Sequence, residues 1–219
     1  MSETSFTYHT TLPNGLVITN LLPQHANKLE ALQRIVFPSL AEDELILAKH
    51  YLHHYQIFAE GQFVILDGEE VVGMTTTMRY DFDFDNHHHT FKETISGGWM
   101  HKHDHEGQWL YGLDVGVHPN YRGKGLAREL YRARQNLAVH LKLKGQLTVG
   151  LLSGFGLVNE PISAETYYQQ LLLGQRSDPT LGPQLKIGFK PLGLIKDYVN
   201  DPSCGNCGVL LQLDIHTII

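Results

Sequence analysis

A short, basic, glycine-rich segment in the middle of the chain has the residue types of an anion site. Gly123 and Gly125 lack a Cβ, so the backbone around them can approach a ligand closely. Arg122 and Lys124 add positive charge beside them. When such a turn joins a strand to a helix, backbone N–H groups and the positive end of the helix dipole bind anions. The segment therefore predicts a site for a phosphate-bearing ligand.

The chain on either side of this turn has the patterns that such a site requires. A strand is predicted before the turn because apolar residues recur with period two, at Trp109, Tyr111, Leu113, Val115 and Val117. Its other face carries Gly112, Asp114 and Gly116, and Pro119 ends it. A helix is predicted after the turn because apolar residues form one helical stripe, at Leu126, Leu130, Ala133, Leu137 and Leu141.

The segment has neither the spacing of a Walker A loop nor the G-x-G-x-x-G spacing of a dinucleotide site. Its pattern, V-x-V-x-P-x-Y-R-G-x-G-x-A, resembles motif A of the GNAT superfamily of N-acetyltransferases. The resemblance implies that the strand backbone at Val115, Gly116 and Val117 pairs with the pantetheine arm of acetyl-CoA. It also implies a loop that cradles the pyrophosphate, formed by Arg122, Gly123, Lys124, Gly125, Leu126, Ala127 and Arg128. The alternative is an ordinary strand–turn–helix connection with a basic turn.

Acetyl transfer to an amine requires a polarised thioester carbonyl and a group that accepts the amine proton. The resemblance places the carbonyl-binding N–H near Val115 and the general base at Tyr111 or Leu113. Leu113 cannot titrate, and a tyrosine is a poor base near neutral pH. Asp114 is a second candidate base, provided that a bulge in the strand turns it toward the substrate. A structural, hydrogen-bonded role for Asp114 is the alternative.

The leaving thiolate should also receive a proton, and here the chain departs from the family. The position of the usual tyrosine, five residues before the phenylalanine of the G-F pair, is occupied by Gln184, which cannot replace a phenol as an acid. Tyr167 and Tyr168 are the candidate catalytic acids. Packing is the alternative role for these two residues, and a water chain or the absence of any acid also stays open.

Two further groups of residues suggest other chemistry. The triplet 87–89 and the alternating His101, His103 and His105 contain residues that bind zinc or nickel, but no H-E-x-x-H or paired cysteine motif fixes a ligand geometry. We expect no metal site, and expect this polar stretch to line the acceptor pocket. Cys204 and Cys207 form a lone C-x-x-C between turn residues, which favours a turn between the last two strands over a zinc or redox site.

The other elements are predicted from hydrophobic periodicity and turn residues. Strands are expected over 15–21, 62–66, 70–80, 109–117, 146–152, 189–198 and 208–216. Helices are expected over 23–36, 42–58, 161–173 and 177–187, besides the helix that follows the glycine-rich turn. The polar and aromatic stretch 80–108 is expected to be a long loop.

This order resembles the GNAT fold, an α/β (α+β) architecture whose central, mixed, mostly antiparallel twisted sheet is flanked by helices. The segment L-K-I-G-F-K-P-L-G at 185–193 resembles the end of its fourth helix. We expect one acyltransferase domain over 1–219, with insertions at about 80–108 and 158–177. D-F-D-F-D-N-H-H-H-T-F, Y-G-L-D and D-P-T-L resemble a bacterial GNAT subgroup whose members also occur fused to carbon–nitrogen hydrolases.

Composition limits the classes of partner. The net charge of −6, with dispersed basic residues, argues against a nucleic-acid-binding protein. The chain has no apolar run of membrane-spanning length and no signal-peptide pattern at its beginning, and it has only two cysteines. We therefore expect a soluble, cytoplasmic protein without nucleic-acid or membrane partners, and a homodimer is left open.

The function expected from the resemblance is transfer of an acetyl group from acetyl-CoA to an amine. A small-molecule acceptor is favoured because the loop 80–108 and the segment around Tyr167 are placed to cover the acceptor side. The alternative is an acyl-CoA-binding regulatory or sensor protein that has lost catalysis, which Leu113 and Gln184 suggest. A metal-dependent hydrolase built on the histidine-rich stretch ranks below both.

Overall fold

A central sheet of eight strands organises the protein in the computed structural model, which describes residues 6–219. The strands are β1 (His9–Thr11), β2 (Val17–Asn20), β3 (Gln62–Asp67), β4 (Glu70–Tyr80), β5 (Trp109–Val117), β6 (Gly145–Leu151), β7 (Lys190–Ile195) and β8 (Gly208–Asp214). Their order across the sheet is β1-β2-β3-β4-β5-β6-β8-β7. Neighbours are antiparallel except β5 and β6, which are parallel. The expected mixed, mostly antiparallel sheet is confirmed.

Helices cover both faces of the sheet. They are α1 (Ala26–Val36), α2 (Ala48–Phe58), α3 (Phe91–Ile95), α4 (Leu126–His140), α5 (Ala164–Leu172) and α6 (Leu181–Ile187). Helices α1, α2 and α3 pack on what we call the α1–α3 face, and α4, α5 and α6 pack on the α4–α6 face. The apolar stripe of α4 is buried on its face, as predicted from its spacing. Among residues 6–219, no helix is both long and apolar enough to cross a membrane.

Several element boundaries differ from the prediction, and the differences have local causes. The helix expected over 42–58 begins only at Ala48, because Leu45 and Ile46 insert their side chains into the core just before it. The helix expected from 177 begins at Leu181, because the Asp178 carboxylate accepts hydrogen bonds from the N–H groups of Thr180 and Leu181. Strand β1 and helix α3 were not predicted, and the helix lies within the expected loop.

Strand β5 contains a bulge that changes which side chains share a face. Asp114 pairs with Thr76 of β4, but Gly112 pairs with the next residue, Thr77, so Leu113 is an extra residue. Leu113 itself packs on the α1–α3 face, as do Trp109 and Tyr111, which precede the bulge. After it, Val115 and Val117 pack on the α4–α6 face. The prediction that all five apolar residues share one face is therefore wrong beyond Leu113.

Candidate active site

Strands β5 and β6 run side by side for only part of their length. Their parallel ladder joins residues 109–112 to residues 145–148. Beyond the ladder, β5 continues to Val117 on β4 alone, and β6 continues to Leu151 on β8 alone. The two strands therefore diverge and leave a gap, which we call the wedge. One edge of the main chain at 113–117 faces the wedge, where it can form hydrogen bonds to an extended ligand that contains amides.

The glycine-rich turn lies at the wide end of the wedge. Gly123 and Gly125 have φ angles of 76° and 77°, a left-handed conformation that favours glycine, and a Cβ on either would meet no atom within 4 Å. Gly125 caps α4 without a side chain, and the first hydrogen bond at the helix start runs from the N–H of Glu129 to the Gly125 oxygen. The N–H groups left without such a partner in the first turn belong to Leu126, Ala127 and Arg128.

Charges around this helix start favour an anion. Arg122 donates from Nε to the Val117 carbonyl oxygen at 3.1 Å, which ties the turn to the end of β5. Lys124 places its ammonium group 5.1 Å from the ring centre of Tyr121. Glu129 is the acidic residue in the first turn, and Arg132 neutralises it through a salt bridge. The uncapped N–H groups and the adjacent cations are therefore arranged so that they can bind an anion.

Comparison with known proteins identifies this arrangement. The model of the Acetyltransferase (GNAT) family matches residues 29–151, which is more than half of the chain and includes β5 and the glycine-rich turn. The chain belongs to the GNAT family. This membership confirms the expectation of a GNAT acyltransferase.

Individual relatives agree with this assignment. The Bacillus subtilis (strain 168) protein named "Uncharacterized N-acetyltransferase YkwB" is 28% identical over 90% of this chain and 88% of its own length. "Probable hydrolase YhcX" from the same organism is 31% identical over 85% of this chain but only 36% of its own length, which agrees with the expected likeness to domains fused to hydrolases. The loading GNATL domain of CurA from Lyngbya majuscula is 22% identical and has the same fold, with a TM-score of 0.75 over 91% of this chain and 98% of that domain.

On the α1–α3 face of this GNAT fold, Tyr111 contacts a histidine from the long loop. The Tyr111 hydroxyl lies 2.7 Å from Nε2 of His89, and Nδ1 of His89 lies 2.8 Å from the His87 carbonyl oxygen. Since a carbonyl oxygen only accepts, Nδ1 carries the proton and Nε2 accepts from the phenol. Burial lowers the pKa of His89, whereas burial, followed by the neighbouring Tyr198, raises the pKa of Tyr111. The imidazole is therefore the better proton acceptor near neutral pH.

Asp114 also reaches the α1–α3 face because of the bulge, but its carboxylate is occupied. One oxygen accepts from the N–H of Thr76 at 2.6 Å and the other from Nε2 of Gln33 at 2.7 Å. The carboxylate is buried, and this burial raises its pKa above the ordinary range. These contacts join β5 to β4 and α1, so they hold the bulge in place.

A buried polar cluster lies on the α4–α6 face, at the position where the family's catalytic tyrosine was expected. Gln184 donates from Nε2 to the hydroxyl of Tyr131 at 2.8 Å. The guanidinium carbon of Arg134 lies 5.2 Å from the ring centre of Tyr131, and Arg134 donates from Nη2 to the Asp114 carbonyl oxygen. We call Tyr131, Arg134 and Gln184 the α4 polar cluster. Only Gln184 was singled out from the sequence, because a tyrosine and an arginine on a helix carry no motif.

The two tyrosines of α5 are both buried. The Tyr167 hydroxyl donates to Oδ2 of Asp178 at 3.1 Å, and its ring packs against Phe155. Burial, followed by the charge of Asp178, raises the pKa of Tyr167 to about 12. Burial also raises the pKa of Tyr168. The Tyr167 hydroxyl thus already forms its donor hydrogen bond, to a carboxylate that also accepts from the N–H of Gly154.

Histidines of the loop 80–108 pack their rings against aromatic side chains. His103 stacks on Phe58 with ring centres 4.5 Å apart, and His89 packs against Phe82. Within residues 6–219, no three His, Cys, Asp or Glu side chains converge in a way that could hold a metal ion. Cys204 and Cys207 are reduced and buried in the turn between β7 and β8, as predicted. Burial raises the pKa of Cys204 to about 12, so its thiol stays protonated near neutral pH.

Proposed function

We propose that this protein is an N-acetyltransferase that transfers the acetyl group of acetyl-CoA to the amine of a small molecule. One observation carries the proposal. The wedge between β5 and β6 leads to the uncapped start of α4. Beside it lie two glycines at which an added Cβ would meet no protein atom within 4 Å. A ligand with an amide-containing arm and a pyrophosphate matches both parts, because main-chain groups can bind the arm and helix N–H groups can bind the phosphates.

The residues predicted to hold the donor agree with this geometry. Residues Arg122 to Arg128 are proposed to bind the pyrophosphate, since they include the free N–H groups and both glycines. The main chain from Val115 to Val117 is proposed to bind the pantetheine arm. An N–H group near Val115 is proposed to donate to the thioester oxygen, which would stabilise the charge that develops there. When bound, acetyl-CoA supplies an activated acetyl group.

We propose His89 as the general base, with Tyr111 as its partner. The hydrogen bond from Nδ1 to the His87 carbonyl fixes the tautomer that leaves Nε2 free of a proton. The lowered pKa of His89 keeps this imidazole neutral near neutral pH. The Tyr111 phenol can pass the amine proton to Nε2, because the two atoms are 2.7 Å apart. Asp114 is proposed to position β5 rather than to accept that proton.

A small acceptor is favoured by the cover over the α1–α3 face. Phe82 stacks near Tyr111, and Phe84 packs against Trp109, so the loop 80–108 lies over this end of β5. A cavity of about 240 Å³ lies beside Tyr198. Its polar lining includes Glu44, Asp197, Asn200 and Asn206. The cytoplasmic location expected from the sequence remains a prediction.

The experiment measures acetyl-CoA binding and turnover separately. Calorimetry reports whether acetyl-CoA binds, and release of free thiol from acetyl-CoA is then followed with a panel of small primary amines. The proposal expects binding together with thiol release for at least one amine. Absence of acetyl-CoA binding would refute it. Binding without thiol release for any amine would favour the alternative, an acyl-CoA-binding regulatory protein.

A further inference from the structure

The α4 polar cluster contains most of the buried polar atoms that lack a partner. In residues 6–219, five buried side-chain polar atoms form no hydrogen bond, and three of them are Nε and Nη1 of Arg134 and Oε1 of Gln184. Buried polar groups are nearly always paired in folded proteins, so a concentration of unpaired ones requires an explanation. A ligand that supplies the missing partner is one such explanation.

Tyr131 has a proton to donate to such a ligand. Its hydroxyl accepts from Nε2 of Gln184 at 2.8 Å, which fixes the oxygen and leaves the phenolic hydrogen for another acceptor. The Arg134 guanidinium lies against the same ring. A phenol held by an amide donor beside a cation is well placed to stabilise a negative charge that develops near it.

Two glycines show that the cluster lies along the wedge. A Cβ on Gly150 would come within 2.2 Å of Oε1 of Gln184. Gly150 belongs to the part of β6 that no longer pairs with β5. A Cβ on Gly112 would come within 2.1 Å of Nη1 of Arg134, and Gly112 is the last residue of β5 in the ladder. Because a strand Cβ points out of the plane of the sheet, Gln184 lies on the α4–α6 face over β6 beside the wedge, and Arg134 lies on the same face over the narrow end. Tyr131 contacts both.

We propose that Tyr131 is the general acid that protonates the leaving thiolate of coenzyme A, with Gln184 as its positioning residue. This inference rests on the proposed function. When the tetrahedral intermediate collapses, its C–S bond breaks and the sulfur keeps the electron pair. The sulfur then takes the phenolic proton of Tyr131, and the O–H bond electrons remain on the phenolate beside Arg134. Water returns a proton to the phenolate, while the amine proton has left through Tyr111 to His89.

The electrostatics of the cluster agree with this role. Burial raises the pKa of Tyr131, whereas the charge of Arg134 and the hydrogen bond from Gln184 lower it. The phenol is therefore protonated near neutral pH, and its anion has two stabilising neighbours. The Tyr167 hydroxyl, by contrast, donates to the Asp178 carboxylate. Burial and the charge of Asp178 raise the pKa of Tyr167 to about 12, so Tyr167 is a weaker acid toward a thiolate.

The test compares two ligands by calorimetry: coenzyme A and desulfo-coenzyme A, which lacks the thiol. Titrations are done at about pH 7 and about pH 9.5, below and above the range in which a free thiol ionises. We expect the wild-type protein to prefer coenzyme A by about tenfold at the higher pH, because Tyr131 donates to the thiolate, and to show little preference at the lower pH. Tyr131→Phe should show little preference at either pH.

The controls separate this inference from its alternatives. Tyr55→Phe removes a hydroxyl from α2 and should keep the wild-type preference. Gln184→Leu should reduce the preference at least about threefold, since it removes the amide that fixes the phenol. The inference is overturned if folded Tyr131→Phe keeps the wild-type preference, or if Tyr168→Phe loses it instead. If neither ligand binds the wild-type protein, the proposed function fails as well, and the two failures are thus distinguished.

Discussion

Replacement of Gly125 by valine tests the proposed phosphate site most directly. Gly125 has a φ of 77°, and a Cβ there would meet no protein atom within 4 Å. The substitution therefore causes no clash inside the protein, and its effect on folding comes from the backbone conformation alone. A left-handed conformation costs a residue with a Cβ about 1–2 kcal/mol. For a chain of this size, we expect a fall in melting temperature of about 2–8 °C.

The effect of Gly125→Val on ligand binding should be much larger. Its branched side chain would project into the space where the proposed pyrophosphate meets the first N–H groups of α4. A hydrogen bond to a charged group contributes about 1.5–3 kcal/mol, so the loss of two such bonds would cost about 3–6 kcal/mol. We expect the affinity for acetyl-CoA to fall at least about 100-fold.

A matched control separates backbone strain from loss of the anion site. Gly174, just after α5, has a φ of 68°, and a Cβ there would also meet no atom within 4 Å. Gly174→Val should therefore lower the melting temperature by a similar amount and leave the acetyl-CoA affinity unchanged. Circular dichroism measures the melting temperatures, and calorimetry measures the affinities. The reasoning fails if folded Gly125→Val binds acetyl-CoA like the wild-type protein, or if Gly174→Val loses the same affinity.

Three further predictions follow from the other side chains. His89→Ala should lower kcat about 100-fold, because it removes the proposed base. In the wild-type protein, kcat should fall only below pH 6.5, because burial lowers the pKa of this base from 6.5. Measuring pH–rate profiles of both proteins checks these two expectations. Tyr167→Phe should cost about 1 kcal/mol of stability, for the lost bond to Asp178, with little effect on turnover; urea unfolding and a thiol-release assay measure the two effects. Burial lowers the pKa of His54 from 6.5 to about 4 in the folded protein. As the pH falls below 6.5, this histidine therefore takes up a proton in the unfolded chain but not in the folded one, and the folded protein loses stability. From pH 7 to pH 5 this loss should be about 2 kcal/mol, and urea unfolding of His54→Gln should show a flatter pH dependence.

The glycine-rich turn and its flanks could be predicted because their information is local. The requirement for glycine at Gly123 and Gly125, the apolar stripe of α4 and the period-two run before the turn all follow from neighbouring residues. The family resemblance extended this prediction to the sheet and its helices. Boundaries were less predictable where tertiary packing decided them, as at Leu45 and Ile46, whose burial delays the start of α2.

The rest of the site depends on contacts between residues far apart in the chain. The bulge at Leu113 arises from pairing with β4, so period two in β5 alone could not reveal it. The triplet of histidines was visible in the sequence, but only the packing of the loop on β5 brings His89 to Tyr111. Tyr131 and Gln184 are 53 residues apart, and they meet only because α4 and α6 pack on the same face of the sheet. The sequence therefore determined the proposed donor site, which local backbone chemistry builds, whereas the tertiary structure decided the proposed proton-transfer partners, since side chains from separate elements form them.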